Sequence, residues 1–238
     1  MDSLREKKMC FFHKVRSAFW EFLAFAFCYF MIPFHKERKW KKHRSKKGLI
    51  LVHGYLTNAM AFSYHGHQLK KAGFGPIWAI NLGNPFLTIE NYAQRLKKKI
   101  DIMQKKFTLD EVVLIGHSMG GLVAGYYALH LNERGLVKQV ISLGTPFKGT
   151  KVAKVGLGKC AKEMESGSPF LETFLKDLVS QNKVRVDQIA TSFDQVVVPY
   201  TSSLLEKELG SKYVLEDLGH ASLLFSKRVN AKIISWLL

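Results

Sequence analysis

The most regular feature of the chain is a series of short apolar runs that begins after Gly48. Polar segments of helical length separate the runs. A short continuous apolar run is typical of a strand that is buried on both faces of a parallel sheet. The predicted strands are Leu49–Val52, Ile77–Ile80, Val112–Ile115, Val140–Leu143 and Val184–Ala190, with a strand-like segment at Lys212–Leu215.

Helical periodicity fills the segments between the predicted strands. Thr88 is predicted to cap a helix whose apolar positions follow at helical spacing: Ile89, Tyr92, Ala93, Leu96, Ile100, Met103 and Phe107. A last helix is predicted from Ser222, with Phe225, Val229, Ile233, Trp236 and Leu237 facing inward. Alternating strands and helices predict an α/β fold, with an open, mostly parallel sheet and helices on both of its faces. Ligands bind such sheets beyond the carboxyl ends of the strands.

A different pattern occupies the N-terminal residues. Ser17–Phe34 is apolar except for Glu21, and basic residues flank it on both sides. Its charge-free part, Phe22–Phe34, is shorter than the roughly 20 residues of a membrane-spanning helix. Aromatic residues between basic flanks are typical of a membrane edge, so we expect residues 17–34 and the flanking Lys/Arg to anchor the protein to a membrane. A core helix packed on the domain and a cleaved signal peptide are the alternatives.

Composition and charge support a folded domain with a lipid partner. The chain has 238 residues, is 47% hydrophobic and carries a net charge of +17, and its first 48 residues hold thirteen Lys/Arg against four Asp/Glu. Lipid headgroups and nucleic acids both attract a basic segment. No nucleic-acid-binding motif accompanies this one, so no nucleic-acid partner is expected. The chain is therefore divided into a leader, residues 1–47, and a globular domain, residues 48–238.

The cysteines and the flanking charges predict a cytoplasmic location for the domain. Cys10, Cys28 and Cys160 are too widely spaced for a disulfide framework, and no N-glycosylation sequon is present. Residues 36–47 carry eight Lys/Arg against five in residues 1–16. If the apolar segment spans a membrane, this difference keeps the domain on the cytoplasmic side.

The chemistry begins at the turn after the third predicted strand, where the sequence reads Gly116-His117-Ser118-Met119-Gly120-Gly121 and continues into a helix. A G-x-S-x-G turn between a strand and a helix holds the serine in a cramped backbone conformation, in which larger residues at Gly116 and Gly120 would clash. Ser118 is therefore the predicted nucleophile. The Met119 N–H, at the start of the helix, is predicted to stabilise the oxyanion.

These residues resemble the α/β-hydrolase lipases and esterases, above all compact bacterial lipases. The resemblance runs from Leu49 to the C-terminus and rests on five pieces: His53-Gly54-Tyr55, GHSMGG, LGTPFKGT, SFDQVVVPYTSS and LGHASLLFS. It implies an α/β-hydrolase fold and an oxyanion loop at His53-Gly54. It also implies that the Tyr55 N–H is the second oxyanion donor, with Leu56 as the alternative.

An acid and a base are needed to activate Ser118. His220 lies in a loop between the strand-like segment and the last helix, where the family carries its base. Asp194 follows a predicted strand, and the order Ser, Asp, His is that of the family. Asp187 and Asp217 are the weaker candidates for the acid, and a metal-binding role of His65 and His67 is the less favoured alternative for those residues.

The predicted function is that of a membrane-attached lipase or carboxylesterase, whose substrate is an acyl ester or lipid that forms an acyl-Ser118 intermediate. It needs no metal and no organic cofactor. Residues 147–183 are predicted to form short helices over the site, as a lid or as a wall for the acyl chain. An acyltransferase or thioesterase would use the same three residues. A catalytically silent, membrane-recruited binding module is the alternative from another functional class.

Overall fold

The computed structural model describes residues 11–34, 36–40, 45–181, 184–205 and 209–238. Its strands form one seven-stranded sheet in the order β1-β3-β2-β4-β5-β6-β7, parallel except for β1, which runs antiparallel to β3. The strands are β1 (Arg38–Trp40), β2 (Lys47–Val52), β3 (Ile77–Ile80), β4 (Glu111–His117), β5 (Val137–Leu143), β6 (Arg185–Thr191) and β7 (Lys212–Leu215). The helices are α1 (Phe11–Phe30), α2 (Ser63–Lys71), α3 (Ile89–Phe107), α4 (Met119–His130), α5 (Lys159–Glu163), α6 (Pro169–Gln181) and α7 (Lys227–Leu237).

The predicted α/β architecture is confirmed, and the apolar runs explain it. Neighbouring residues of the central strand β4 point to opposite faces of the sheet, yet Val112, Val113, Leu114 and Ile115 are all fully buried. Residues of α3, α4 and α6 cover one face, and residues of α2 and α7 cover the other. The predicted helix after Thr88 is also confirmed, because the Thr88 side chain accepts a hydrogen bond from the N–H of Asn91 at 3.1 Å.

Two elements differ from the sequence prediction. Arg38–Trp40 forms an edge strand within the predicted leader. The sequence analysis did not predict it, because this short charged segment contains no apolar run. The last helix begins at Lys227 rather than at Ser222. A short 3₁₀ helix, Ala221–Phe225, comes first, and Ser226, with extended backbone, then caps α7.

The N-terminal helix α1 packs against the domain. Four of its residues at helical spacing are buried, namely Ser17, Glu21, Ala24 and Cys28. The Ser17 hydroxyl donates to the carbonyl oxygen of Asp217 at 2.7 Å, and the Asn58 amide donates to the carbonyl oxygen of Met31, just past α1, at 2.7 Å. The structure thus has the helix packed on the domain, the arrangement named above as an alternative.

The outer face of α1 remains apolar and exposed. Its exposed aromatic side chains are Phe19, Trp20, Phe22, Phe27, Tyr29 and Phe30. Among the residues that the structure describes, no helix combines the length and the apolar character needed to cross a membrane. The basic segments 1–10 and 41–44, on which part of the anchor prediction rests, lie outside the described residues.

Candidate active site

Ser118 lies at the turn between β4 and α4, at the carboxyl edge of the sheet. Its backbone has φ 54° and ψ −127°, a conformation that is costly for any residue with a side chain. The turn is possible only because the residues two positions before and two positions after Ser118 are glycines. A Cβ on Gly116 would lie 2.5 Å from the backbone of Gly120, and a Cβ on Gly120 would lie 2.1 Å from the carbonyl oxygen of Val52. Both glycines are therefore needed where the sequence predicted them.

The structure brings Asp194 and His220 together. The Nδ1 atom of His220 lies 2.8 Å from Oδ2 of Asp194, and both side chains are almost completely buried, with 4% and 1% exposed. The other carboxylate oxygen, Oδ1, accepts the N–H groups of Val196 at 2.8 Å and Val197 at 2.7 Å. The carboxylate is therefore fixed by the loop after β6, and its contact with His220 uses Nδ1, not Nε2.

The surroundings of His220 favour its protonated form. Burial alone would lower the pKa of His220, but the charge of Asp194 and the hydrogen bond to it, together with the charge of Glu21, raise this pKa above the usual value. The neighbouring ring of His117 lies 4.7 Å away, centroid to centroid, and burial and the charge of His220 hold the pKa of His117 well below its usual value. Neutral His117 donates from Nε2 to the backbone oxygen of His220 at 3.0 Å.

The other candidate acids have structural partners. Asp187 is fully buried at the amino-terminal half of β6, where its carboxylate accepts from Arg185 Nε at 3.0 Å, Gln139 Nε2 at 2.7 Å and the N–H of Ser211 at 2.9 Å. Asp217 forms an ion pair with Arg228. Neither carboxylate contacts His220 among the described hydrogen bonds and ion pairs, so Asp194 is the acid that the geometry favours.

The two histidines of the alternative metal site, His65 and His67, lie in different environments, one buried and one exposed. His65 is buried and hydrogen-bonds to the Asn230 side chain at 3.2 Å and to the Leu223 carbonyl at 2.9 Å, whereas His67 is exposed. The described part of the chain contains no group of three or more His, Cys, Asp or Glu residues that could hold a metal ion.

The predicted oxyanion loop passes directly beside Ser118. A Cβ on Gly54 would lie 3.0 Å from the Cβ of Ser118. The His53 ring lies below the loop, with Nδ1 2.8 Å from the carbonyl oxygen of Gly54 and Nε2 3.1 Å from the N–H of Leu82. Burial lowers the pKa of His53 to about 4, so a neutral ring holds the loop in place. The N–H groups of Met119 and Tyr55 remain the predicted oxyanion donors.

Tyr55 also connects this loop to the segment above the site. Its hydroxyl donates to the carbonyl oxygen of Leu157 at 2.7 Å and accepts from the N–H of the same residue at 2.9 Å. Within residues 147–181, the structure has a 3₁₀ helix at Lys151–Val155 and the helices α5 and α6. Val155 and Leu157, at the rim of the site, are 84% and 68% exposed.

Ser118 and His220 open onto one apolar cavity of about 430 Å³. One wall comes from the segment that contains Val152, Leu157 and Met164. Phe25, Cys28 and Tyr29 of α1 also line the cavity. No sequence pattern indicated that α1 lines the site, although the single charge in its apolar run, Glu21, lies on the face that is buried.

Comparisons with known proteins agree with this architecture. The sequence profile of one family, described as alpha/beta hydrolase of unknown function (DUF915), matches residues 38–238. Protein phosphatase methylesterase 1 of Schizosaccharomyces pombe is 26% identical over 151 residues, which are 57% of this chain and 44% of that protein, so the match spans less than half of the relative.

Solved structures share the fold at low sequence identity. The mature lipase of Bacillus licheniformis superposes with a TM-score of 0.71 at 16% identity, over 85% of this chain and 98% of that one. Lipase B of Aspergillus fumigatus gives a TM-score of 0.70 at 18% identity, over 82% of this chain and 54% of that one.

Proposed function

The chain belongs to the alpha/beta-hydrolase family whose profile matches residues 38–238, and on that basis we propose that it is a serine esterase for lipid or other acyl esters. The observation that carries the proposal is that two reactive side chains line the same cavity. A serine in a strained strand-to-helix turn and a histidine bonded to a buried carboxylate at 2.8 Å open onto the same apolar space. Ser118, Asp194 and His220 are the proposed catalytic residues.

The first half of the reaction forms an acyl-enzyme. The hydroxyl oxygen of Ser118 attacks the ester carbonyl carbon while Nε2 of His220 takes the hydroxyl proton. The carbonyl oxygen becomes an oxyanion, and the N–H groups of Met119 and Tyr55 donate to it. The intermediate then collapses, the bond to the alcohol oxygen breaks, and His220 returns its proton to the departing alcohol.

The second half releases the acid. A water molecule attacks the carbonyl carbon of acyl-Ser118, and His220 takes a proton from that water. The second oxyanion collapses, Ser118 leaves with the proton from His220, and the carboxylic acid departs. Asp194 keeps the Nδ1–H tautomer and stabilises the imidazolium that forms in both halves.

The lining of the cavity supports an acyl chain as the bound group. Most of its lining residues are apolar, and its volume of about 430 Å³ lies toward the lower end of the 300–1,000 Å³ that is usual for ligand sites. One acyl chain therefore fits this space better than several. A methyl ester belongs among the test substrates, because one relative is a methylesterase.

The test is a substrate panel with a matched variant. Wild type and Ser118→Ala are assayed on acyl esters of increasing chain length, a methyl ester and an acyl-thioester, with and without an added alcohol acceptor. We expect wild type to hydrolyse the esters and to bind a fluorophosphonate covalently, and Ser118→Ala to do neither. Equal labelling of the alanine variant would show that Ser118 is not the nucleophile, and preferential transfer to the alcohol would favour an acyltransferase.

We also propose that the protein docks on a membrane through α1, on the cytoplasmic side. The support is the apolar outer face of α1 in a chain of net charge +17, where Phe22 and Phe30 are each 68% exposed. Val155 and Leu157 extend this apolar surface to the rim of the cavity. The free thiols of Cys28 and Cys160 agree with a reducing compartment.

Vesicle sedimentation tests the docking proposal. The double variant Phe22→Ser with Phe30→Ser removes two inserting rings, each worth about 1.5 kcal/mol or more, so binding should weaken by about a hundredfold. The control is Ile102→Ser with Val179→Ser, at residues 51% and 55% exposed on α3 and α6, which should bind as wild type does. Release of wild type by high salt alone would contradict insertion, because salt screens charge attraction but not apolar burial.

A further inference from the structure

Glu21 of α1 contacts the loop that carries His220. Glu21 as a whole residue is 5% exposed. One oxygen, Oε1, accepts the N–H of Ala221 at 2.7 Å, and the other, Oε2, accepts the N–H of Ser222 at 2.9 Å and its hydroxyl at 2.7 Å. All three donors belong to the two residues that follow His220.

The residue before His220 is shaped around the same carboxylate. A Cβ on Gly219 would lie 2.2 Å from the carboxyl carbon and from Oε2 of Glu21. Only a glycine allows the side chain of Glu21 to reach its donors. The carboxylate of Glu21 therefore packs against the backbone of Gly219, before His220, and accepts hydrogen bonds from the backbone of Ala221 and Ser222, after it.

A carboxylate is an unusual choice for a contact that only has to hold a helix in place. Burying a charge is costly, and apolar residues of similar size usually give equal or greater stability at such a position. Ala24 and Cys28, on the same face of α1, are buried without a charge. Glu21 differs from them because it offers two acceptors and a negative charge next to the proposed base.

We propose that Glu21 is a positioning residue for His220, so that α1, outside the region matched by the family, completes the active site. The inference rests on the proposed function, since it assigns His220 as the base. Asp194 fixes the ring through Nδ1, His117 holds the backbone oxygen of His220, and Glu21 holds the next two backbone N–H groups. Loss of Glu21 frees one side of this loop.

The charged groups around His220 give the proposal a distinct signature. Asp194 and Glu21 are the negative groups that face it, and His117 is held neutral by burial and by the charge of His220. Removing the charge of Glu21 should lower the pKa of His220, because one of the groups that stabilise the imidazolium is lost. A purely structural contact would not move this pKa.

The experiment compares three variants of the full chain on a soluble short-chain ester. Glu21→Gln keeps the size and removes the charge, and it should shift the acid limb of the kcat/KM profile to lower pH. Because the amide has one acceptor oxygen where the carboxylate has two, one of the two backbone N–H groups also loses its acceptor. Glu21→Asp keeps the charge but loses reach, and it should lower kcat with little change of that limb. Glu21→Ala loses both and should lower kcat by about 10²-fold, the size expected when a catalytic group is misplaced by about 1 Å.

The control is Ser17→Ala, on the same face of α1, which removes a hydrogen bond to Asp217 but none to the residues beside His220. It should keep both kcat and the pH profile of wild type. Thermal melting identifies any variant that does not fold, and Glu21→Gln decides the question if Glu21→Ala fails to fold. A folded Glu21→Gln variant with an unchanged acid limb and unchanged kcat would overturn the proposal.

NMR titration of the His220 ring separates this proposal from the proposed function. If wild type hydrolyses none of the substrates, the esterase assignment fails, but the His220 pKa can still be compared between wild type and Glu21→Gln. A lower pKa in the variant would support the role of Glu21 even then. In that case, with no kcat to compare, an equal pKa in both proteins would refute it.

Discussion

Replacing Asp194 by asparagine should leave the fold intact and almost abolish catalysis. Oδ1 of Asp194 accepts two backbone N–H groups, from Val196 and Val197. In the variant the amide oxygen must stay at this position, because an NH₂ group there would face two donors. The NH₂ group then points to Nδ1 of His220, where the carboxylate oxygen was at 2.8 Å.

The consequence is a proton on the wrong nitrogen. Nδ1 must now accept, so the neutral ring carries its proton on Nε2 and cannot take the proton of Ser118. In serine proteases a triad histidine held in the wrong tautomer loses about 10⁴-fold in kcat, which corresponds to about 5 kcal/mol of transition-state stabilisation. We expect a loss of this size for Asp194→Asn, measured by steady-state hydrolysis of a short-chain ester.

The matched control is Asp187→Asn, a buried carboxylate on the same strand-and-loop unit. It bonds to Arg185, Gln139 and Ser211 instead of His220. Its loss should reduce the free energy of unfolding by about 1–3 kcal/mol and change kcat by only a few fold. The opposite ranking, with kcat lost in Asp187→Asn and kept in Asp194→Asn, would show that Asp194 is not the acid.

Three further predictions concern the turn, the rim and the histidines. Gly120→Ala should destabilise the fold in urea unfolding far more than Gly125→Ala, because its Cβ meets the Val52 carbonyl at 2.1 Å whereas that of Gly125 meets the Phe174 ring at 2.8 Å; equal midpoints would contradict this. Tyr55→Phe removes both hydrogen bonds to Leu157 and should raise KM for long-chain esters with little change in kcat. An unchanged KM would show that these two hydrogen bonds do not shape the binding site. Stability should fall as the pH is lowered from about 6.5 towards 4, because the unfolded chain protonates His53 near 6.5 and the folded chain only at about 4. His53 alone contributes about 3 kcal/mol to this loss of stability. Burial lowers the pKa values of His65 and His117 as well, so they add to the loss, whereas the raised pKa of His220 opposes it. A Tm independent of pH across this window would contradict the prediction.

The sequence was most informative where a local pattern has a single structural meaning. Continuous apolar runs predicted the central strands within a few residues, and the glycines around Ser118 predicted the turn, because both depend on neighbours in the chain. The edge strand Arg38–Trp40 was missed, since it is held by backbone pairing to β3 and needs no apolar side chains.

The role of α1 could not be read from its sequence, because an apolar helix can be covered by lipid or by protein. What decides between them is a contact with a segment about 200 residues away, which no local pattern encodes. Glu21 was the one available sign, as a charge in an apolar run needs a partner. His117 was likewise given no role in the sequence analysis, although its ring donates to the backbone of His220.

The docking of α1 also sets an order of events during protein synthesis. The bonds from Ser17 to Asp217 and from Glu21 to Ser222 join residues 200 and 201 positions apart. At about 5–20 residues per second, the ribosome needs roughly 10–40 s to make the chain between them. Through that interval the helix has its apolar face and its carboxylate without their partners, and the pocket lacks a wall. A nascent chain therefore carries Ser118 well before the proposed catalytic set is complete, and the proposed esterase activity can begin only when the two distant segments meet.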